Sequence, residues 1–358
     1  MIPLIATARI SILSMFFAVV CTNPSAQAWQ TQDDFWRVLP TGTSVSLRGL
    51  EMCSDGETVW ACGSNSTVIR SDNLGKSWKT VSPIGFEKLE FRSITAWDSQ
   101  RAMIASAGTP AVVLATKDGG QTWQEILRRP EEKAFFDALK FFDKQRGILF
   151  SDPVDDKWLI LITSDGGQKW QEVAKDSIPK LQVDEAAFAA SNSALHVNAS
   201  GRAWLGTGGV TGDSSRVYYS TDFGQTWVDS LCPIPSGEAA GIFSIASSPE
   251  GRLVAVGGDY RPEQRSRHTS AFSDDDGKTW RLAAIEPTAF RSSIVTVPHP
   301  TKPIIRWVTT GPSGTDISED GSSWKSVSMT GFHVLATHPN GTLIAVGSDG
   351  RFGIADLK

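Results

Sequence analysis

The stretch Thr116-Lys117-Asp118-Gly119-Gly120-Gln121-Thr122-Trp123 is one copy of a turn motif that recurs along the whole chain. The shared pattern is Ser or Thr, then Asp or Asn two positions later, then Gly and a closing Trp. Its six copies end at Trp78, Trp123, Trp170, Trp227, Trp280 and Trp324. Successive tryptophans are 45, 47, 57, 53 and 44 residues apart, which is the length of one four-stranded blade of a β-propeller.

The chemistry of this motif predicts a structural role. The Asp side chain can accept hydrogen bonds from backbone amides of its own tight turn, and Gly supplies the positive φ that such a turn requires. The Trp begins the next strand, where its large ring can be buried between neighbouring sheets. The run Asp274-Asp275-Asp276-Gly277 resembles a calcium loop, but the bidentate Glu that such a loop needs is absent. We therefore expect the motifs to stabilise the fold and to bind no metal.

A second repeat, independent of the first, predicts the number of blades. Each unit opens with a short signature of an innermost strand, and an apolar second strand that ends in small residues follows it. The seven signatures are Leu47-Arg48, Phe91-Arg92, Phe136-Asp137, Asn192-Ser193, Phe243-Ser244, Phe290-Arg291 and Phe332-His333. The seventh unit, 332–357, has three strands, and we expect the unassigned segment 35–39 to supply its fourth, which removes exposed sheet edges. The sequence therefore predicts an all-β chain, a single seven-bladed β-propeller over residues 29–358 that is closed by its N-terminal strand.

Residues 1–28 have the features of a signal peptide. Arg9 precedes an apolar run from residue 10 to residue 20, and Ala26-Gln27-Ala28 matches the small-x-small pattern of a cleavage site. The run is too short to span a bilayer as a stable helix. A lipoprotein cysteine at Cys21 is the alternative, for which Val19-Val20 is a poor context. We expect an exported chain, periplasmic or extracellular, that begins at Trp29 and has no transmembrane segment.

The composition limits the partners and the disulfides. Without residues 1–28 the chain has 33 basic and 39 acidic side chains, and this acidic balance argues against nucleic acid as a partner. Three cysteines remain, Cys53, Cys62 and Cys232, and the odd number leaves at least one unpaired. A bridge between Cys53 and Cys62 is one alternative. Small buried thiols on strands are the other, which we favour.

Several longer phrases resemble a known family. They include residues 135–155 (FFDALKFFDKQRGILFSDPVD), 204–209 (WLGTGG), 254–261 (VAVGGDYR) and 331–337 (GFHVLAT). Together with the turn motifs, which are known as Asp-boxes, they resemble the BNR-repeat proteins related to the photosystem II stability/assembly factor, and more closely the bacterial exported branch of that family. The resemblance covers essentially the whole chain after residue 28. Photosynthetic members are described as non-enzymatic assembly chaperones, so the resemblance implies a propeller with a protein-binding, assembly-factor-like role.

The topology predicts which face carries a binding site. The Asp-boxes join the third and fourth strands of each blade and mark one face, whereas the longest irregular segments and the first residues of the inner strands converge on the other face, around the channel mouth. The residues expected there are Arg48, Arg92, Asp137, Asp152, Glu185, Glu238, Asp259, Tyr260, Arg291 and His333. We expect the arginines, with His333 as a pH-sensitive member, to face the acidic group and to dock a protein or polar polymer. A solvated rim of mutually paired charges around a water-filled channel is the alternative.

The strongest enzymatic alternative is a sialidase-like glycoside hydrolase. Arg48, Arg92 and Arg291 could clamp a carboxylate, and Tyr260 beside Asp259 is the candidate nucleophile. The Arg-Ile-Pro phrase that is typical of the first blade of sialidases is missing after Arg92. The sequence also has no Gly-x-Ser-x-Gly, His-Glu-x-x-His or Cys-x-x-Cys pattern. We therefore expect a monomeric binding protein without a cofactor, a metal or catalytic residues.

Overall fold

The architecture is that of a closed ring of small sheets. The computed structural model describes residues 33–210, 212–265, 267–299 and 305–357, so the predicted signal peptide, residues 1–28, lies outside the described residues. Across the described ranges the strands form seven antiparallel sheets of four strands each, and each sheet is one blade of a propeller. The prediction of an all-β, seven-bladed β-propeller is confirmed.

Within each of the first six blades the four strands follow one another in chain order. Blade 1 consists of β2 (Leu47–Met52), β3 (Val59–Gly63), β4 (Val68–Ser71) and β5 (Lys79–Thr80). Blade 2 consists of β6 (Phe91–Ala96), β7 (Ala102–Ser106), β8 (Ala111–Thr116) and β9 (Gln124–Arg129). Blade 3 consists of β10 (Phe136–Phe141), β11 (Gly147–Val154), β12 (Lys157–Thr163) and β13 (Gln171–Glu172). Blade 4 consists of β14 (Leu195–Val197), β15 (Ala203–Gly206), β16 (Ser215–Ser220) and β17 (Val228–Cys232). Blade 5 consists of β18 (Ala240–Ser247), β19 (Leu253–Asp259), β20 (Ser270–Ser273) and β21 (Arg281–Leu282). Blade 6 consists of β22 (Ser293–Pro298), β23 (Ile305–Gly311), β24 (Gly314–Ser318) and β25 (Lys325–Ser328).

The seventh blade combines the two ends of the chain. It consists of β26 (Val334–Thr337), β27 (Thr342–Val346), β28 (Arg351–Asp356) and, as its outer strand, β1 (Arg37–Pro40). Short 3-10 helices cover Lys175–Ser177, Glu263–Arg265 and Ser348–Gly350. In the part of the chain that is described, no helix is long and apolar enough to cross a membrane.

The N-terminal strand closes the ring as predicted, although it begins two residues later than expected. The N–H groups of Phe35 and Trp36 donate to the Asp33 carboxylate at 2.9 and 3.1 Å, so these two residues form a turn before β1. The Trp36 ring is buried, and its Nε1 donates to Thr315 Oγ1 of blade 6 at 3.0 Å. The closing segment therefore joins blade 7 to blade 6 by a side chain as well as by backbone pairing.

The Asp-boxes have the structural role that their chemistry predicted. In the second copy, Asp118 Oδ1 accepts hydrogen bonds from Thr116 Oγ1 and from the Thr122 N–H, both at 2.9 Å. Gly119 and Gly120 follow with φ of 76° and 84°. Trp123 Nε1 donates at 2.8 Å to the carbonyl oxygen of Val81, which belongs to the loop after blade 1. Within the described ranges no group of three or more His, Cys, Asp or Glu side chains is arranged to hold a metal ion.

The hydrophobic core lies mainly between neighbouring blades. One cluster joins Leu47 and Ile69 of blade 1 to Ile344 and Phe352 of blade 7 across the ring closure. Each large apolar side chain buried in this way contributes about 1.5–3 kcal/mol to the stability of the fold. Cysteine thiols occupy part of the same core: the three in the described residues are free and buried, and burial raises the pKa of Cys232 to about 12.

Candidate functional site at the channel mouth

The inner strands begin with a β-bulge that decides which side chains face the channel mouth. In blades 1, 2, 3 and 5 the pairing of the first two strands skips one residue, and the skipped residues are Arg48, Arg92, Asp137 and Phe243. The residue before each skip is a fully buried anchor: Leu47, Phe91, Phe136 and Ile242. A bulge takes its extra residue out of the ladder and re-aims the side chain. The skipped side chain therefore points towards the end of the channel in blades 1, 2 and 5, whereas Asp137 of blade 3 is fully buried.

Blade 6 shows why Arg291 does not lie at this position. The Ser292 N–H donates to the Thr310 carbonyl oxygen at 2.8 Å, while Ser293 pairs with Thr310. His333 is bonded in the same way in blade 7. Ser292 is therefore the equivalent of Arg48, and Arg291 occupies the anchor position one residue earlier. Because a shift of one residue turns a side chain to the opposite side of a strand, Arg291 does not line the channel mouth, contrary to the expectation from its signature.

Arg291 instead belongs to a buried ion pair. Its guanidinium and the Asp316 carboxylate are 2.5 Å apart, and neither side chain has exposed surface. The same guanidinium donates to Thr288 Oγ1 at 2.8 Å and to the Phe290 carbonyl oxygen at 2.9 Å. Arg291 therefore holds blade 6 together and has no surface to offer to a ligand.

The channel is crossed by residues 188–193, here called the channel segment, which lead into blade 4. Asn192 Nδ2 donates to the Ile94 carbonyl oxygen of blade 2 at 3.0 Å, and its Oδ1 accepts from the Leu139 N–H of blade 3 at 2.9 Å. Ser191 Oγ donates to a backbone carbonyl of blade 6 at 2.6 Å. The channel segment thus spans the ring where an open, water-filled channel was the alternative, and it forms the floor of a pocket.

Above this floor lies a cavity of about 580 Å³, here called the mouth pocket. It opens on the face opposite the Asp-boxes, and its volume is within the range of pockets that bind small ligands, about 300–1,000 Å³. Five of the ten predicted site residues line it: Arg48, Arg92, Asp152, Tyr260 and His333. Much of the apolar lining comes from Phe135, Phe188, Phe243, Phe290 and Pro312.

Arg48 is an unpaired cation in the mouth pocket. Among the described residues its partly buried guanidinium has no hydrogen bond and no ion pair. Burial and the neighbouring charge of Arg92 lower the pKa of Arg48 below its ordinary value, and the charge of Glu90 offsets this only in part. Arg92, in contrast, is paired with Glu90 at 2.9 Å. A partly buried guanidinium whose hydrogen-bond donors are unused is well suited to receive an anion.

His333 is not a pH-sensitive member of the site near neutral pH. Its side chain is buried, and burial together with the charges of Arg48 and Arg351 lowers the pKa of the imidazole to about 3. Its Nε2 lies 3.0 Å from Ser348 Oγ. His333 is therefore neutral at physiological pH and adds no positive charge to the mouth pocket, contrary to the expectation from the sequence.

Two carboxyl groups, Asp137 and Asp152, form a pair in the wall of blade 3. Asp152 lines the mouth pocket and accepts a hydrogen bond from the Ala187 N–H at 3.0 Å, while burial raises its pKa to about 6. Asp137 lies behind it without exposed surface, and neither of its carboxyl oxygens has a hydrogen-bond partner in the described part of the chain. Burial and the charge of Asp152 raise the pKa of Asp137 well above its usual range. The acidic side of the pocket is therefore less charged than the sequence indicated.

Besides Arg291 and Asp137, three more of the ten predicted site residues do not line the mouth pocket: Glu185, Glu238 and Asp259. Glu185 is buried and accepts hydrogen bonds from Arg216 at 2.8 Å and from the Tyr218 hydroxyl at 2.9 Å. It thereby ties the loop before blade 4 to β16. Arg261 lies 3.1 Å from Glu238 and 3.4 Å from Asp259 in an exposed cluster on blade 5.

An aromatic wall, of which the sequence analysis predicted only Tyr260 as a site residue, lines the pocket on blades 4 to 6. Its members are Phe188, Phe243, Tyr260 and Phe290. The rings of Phe188 and Phe243 are stacked with centroids 4.1 Å apart, and Phe290 meets Phe243 edge-on at 4.7 Å. Phe243 and Phe290 belong to the signatures of blades 5 and 6, but neither fills the anchor position: Phe243 follows the anchor Ile242, and Phe290 precedes the anchor Arg291.

Comparisons with known proteins agree with this architecture. The family model described as BNR/Asp-box repeat matches residues 218–229, which include the fourth turn motif. A search of the curated proteins finds no relative. The short match is consistent with a repeat unit that is specific for the fold and carries little information about a ligand.

Solved structures with the same fold include two of YCF48 and one glycoside hydrolase. YCF48 bound to D1 peptide is 18% identical with a TM-score of 0.61, covering 89% of this chain and 96% of that chain. YCF48 from Cyanidioschyzon merolae is 14% identical with a TM-score of 0.62, covering 90% and 98%. The GH74 xyloglucanase from Xanthomonas campestris is 14% identical with a TM-score of 0.63, and the match spans 90% of this chain but only 54% of the enzyme. The chain is thus a seven-bladed β-propeller that carries a match to the BNR/Asp-box repeat at residues 218–229 and is similar in fold to YCF48.

Proposed function

We propose that this chain is a protein-binding module that takes up a segment of a partner protein in the mouth pocket. The observation that carries the proposal is Arg48, a partly buried guanidinium of a concave site that has no hydrogen bond and no salt bridge among the described residues. A charge removed from water is costly unless it is paired, so an incoming carboxylate would relieve a cost that the free protein bears. The structure of YCF48 bound to D1 peptide supports a polypeptide as the ligand of a propeller with this fold.

The arrangement of the arginines favours this proposal over a sialidase-like hydrolysis. Such a reaction needs three guanidinium groups around one carboxylate, together with a tyrosine nucleophile and its carboxylate partner. Arg291 is enclosed with Asp316, and Arg92 is already paired with Glu90. Among the described residues of the pocket, Arg48 is left to hold one carboxylate, which suits an acidic side chain in a peptide segment.

A matched pair of variants tests this proposal. Random peptides displayed on phage are selected on the immobilised protein, resynthesised with a fluorescent label and titrated by fluorescence polarisation. Arg48→Gln should weaken binding at least about tenfold, because it removes one partner of a partly buried charge pair. Arg37→Gln, which changes an exposed residue of the outer strand β1, should bind like the unmodified protein. Enriched peptides without Asp or Glu, or full binding by a correctly folded Arg48→Gln variant, would overturn the proposal.

We further propose that the chain acts as an exported monomer, in the periplasm or the extracellular space. The support is the apolar run that precedes Ala26-Gln27-Ala28. Protein recovered from the exported fraction should have Trp29 at its N-terminus by Edman sequencing, and light scattering should give the mass of one chain. Recovery from the cytoplasm with Met1 to Ala28 still attached would contradict the proposed export.

A further inference from the structure

The mouth pocket has two chemically different sides. Blades 1 and 2 contribute Arg48 and Arg92, whereas blades 4 to 6 contribute the aromatic wall. The anion-binding role proposed above uses Arg48 and leaves the aromatic wall without a function. A large apolar surface in a concave site is available for a second contact with the same ligand.

Tyr260 is the exposed member of the aromatic wall. Its side chain is 47% exposed, and its ring contacts those of Phe243 and Phe290 only at centroid distances of 6.1 and 6.4 Å. The loop that carries it is held in place, because the Tyr260 N–H donates to the Ala239 carbonyl oxygen at 3.2 Å. An exposed aromatic side chain on a fixed backbone loses little conformational entropy on binding, which is why such residues are frequent hot spots of interfaces.

Phe188 is the second partly exposed ring of the wall. It belongs to the channel segment, and its face is stacked on Phe243 with an interplanar angle of 10°. The backbone of the channel segment is tied to neighbouring blades through Ser191 and Asn192. The two partly exposed rings are therefore supported from behind by buried rings and by the floor of the pocket.

The size of the pocket limits the spacing between the two contacts. A sphere with a volume of about 580 Å³ is about 10 Å wide, and an extended chain rises by at most about 3.3–3.6 Å per residue. About three consecutive residues therefore cross the pocket from the arginines to the aromatic wall. A carboxylate held by Arg48 leaves room for a large side chain no more than about two positions away.

We infer that the partner segment carries an aromatic or large aliphatic side chain within two residues of its carboxylate, and that Phe188 and Tyr260 receive this side chain. The inference rests on the proposed binding function and names the class of peptide that the mouth pocket selects. Its basis is the juxtaposition of one unpaired guanidinium and a supported, partly exposed aromatic surface within one cavity.

Two synthetic peptide arrays test the inference. Both have a Gly-Ser background; one has Asp at the centre and the other has Asn. The two positions on either side of the centre are occupied in turn by Phe, Tyr, Trp, Leu or Ala. We expect Asp peptides with an aromatic residue or Leu at one of these positions to bind at least about tenfold more tightly than the Ala peptides, an effect typical of a hot-spot side chain.

Variants separate the two contacts. Tyr260→Ala should remove most of the advantage of the aromatic peptides and preserve the preference for Asp over Asn. Arg48→Gln should have the opposite effect. Ile84→Ala is the matched control, since Ile84 is 92% exposed and does not line the mouth pocket. Circular dichroism checks that each variant is folded.

The outcomes distinguish a failure of the inference about the aromatic wall from a failure of the proposed binding function. A preference for Asp without any preference among the neighbouring side chains would overturn the inference and leave the proposed function standing. An aromatic preference that survives in both Tyr260→Ala and Phe188→Ala would overturn the assignment of the aromatic wall. Equal or absent binding of the Asp and Asn arrays would overturn the proposed function itself.

Discussion

Replacing Asp137 by Asn should make the stability of the folded protein less sensitive to rising pH. Asp137 is fully buried, and neither carboxyl oxygen has a hydrogen-bond partner among the described residues. Asn has nearly the same shape and does not ionise. Because the pKa of Asp137 is raised in the folded state, this state keeps the proton to a higher pH than the unfolded chain does. The corresponding stability is complete below the unfolded pKa and is lost as the pH rises towards the folded pKa.

The neighbouring Asp152 shows an effect of the same kind. Its pKa is raised from 3.8 to about 6, a difference of about 2 units. At ~1.4 kcal/mol per unit, such a group costs the folded state ~3 kcal/mol between about pH 4 and pH 6. Asp137 is more deeply buried, and the charge of Asp152 raises its pKa further. We therefore expect a loss in the same direction from Asp137 as the pH rises.

Urea unfolding measured from about pH 4 to pH 8 checks this prediction. Asp137→Asn should be no more stable than the unmodified protein at the acid end, and more stable than it at the alkaline end. Asp156→Asn, in an exposed turn of the same blade, serves as the control and should follow the unmodified protein at every pH. Parallel pH profiles of the unmodified protein and Asp137→Asn would refute the reasoning.

Two further predictions concern the scaffold. Asp222 accepts hydrogen bonds from the Thr226 N–H at 2.9 Å and from Thr226 Oγ1 at 2.6 Å, so Asp222→Ala should lower the free energy of unfolding by ~1–2 kcal/mol. Its peptide affinity should stay the same, because the Asp-boxes lie on the face opposite the mouth pocket, and weaker binding would show that they contact the ligand. Asp316→Ala should cost ~3–5 kcal/mol because it leaves the Arg291 guanidinium buried and unpaired. The double variant Arg291→Leu with Asp316→Val should recover most of that loss in thermal unfolding, and a double variant as unstable as the single one would contradict this account.

The fold could be predicted because its signals are repeated. The spacing of the closing tryptophans indicated blades, and the incomplete seventh unit indicated closure by an N-terminal strand. The exact start of β1 could not be predicted, because Phe35 and Trp36 have strand-forming side chains. Their backbone is instead held in a turn by a single carboxylate, that of Asp33.

The site could be predicted only in part, because its geometry depends on a register that the signatures do not specify. The channel-mouth face and residues such as Arg48 and Arg92 followed from the order of strands and loops. The anchor position is apolar in the blades that have a bulge. In blade 6 it is occupied by Arg291, whose charge is neutralised by Asp316, 25 residues later in the chain. A pattern that searches for an apolar anchor therefore selects Phe290 and misplaces its neighbour by one position.

The position of the channel segment could not be predicted from the sequence either. Asn192 and Ser193 stand where an inner strand was expected, but β14 begins at Leu195. The side chain of Asn192 replaces backbone pairing by bonding to two other blades at once. Contacts between residues about a hundred positions apart leave no local trace in a single sequence.

Those long-range contacts also determine at what point of its synthesis the protein becomes able to bind a ligand. Asn192 is bonded to a residue 98 positions earlier, and Ser191 is bonded to one 101 positions later. The floor of the mouth pocket is therefore incomplete until blade 6 has left the ribosome, although earlier blades can already have formed their local turns. A truncated or stalled chain lacks the recognition surface, so competence to bind is acquired together with completion of the ring.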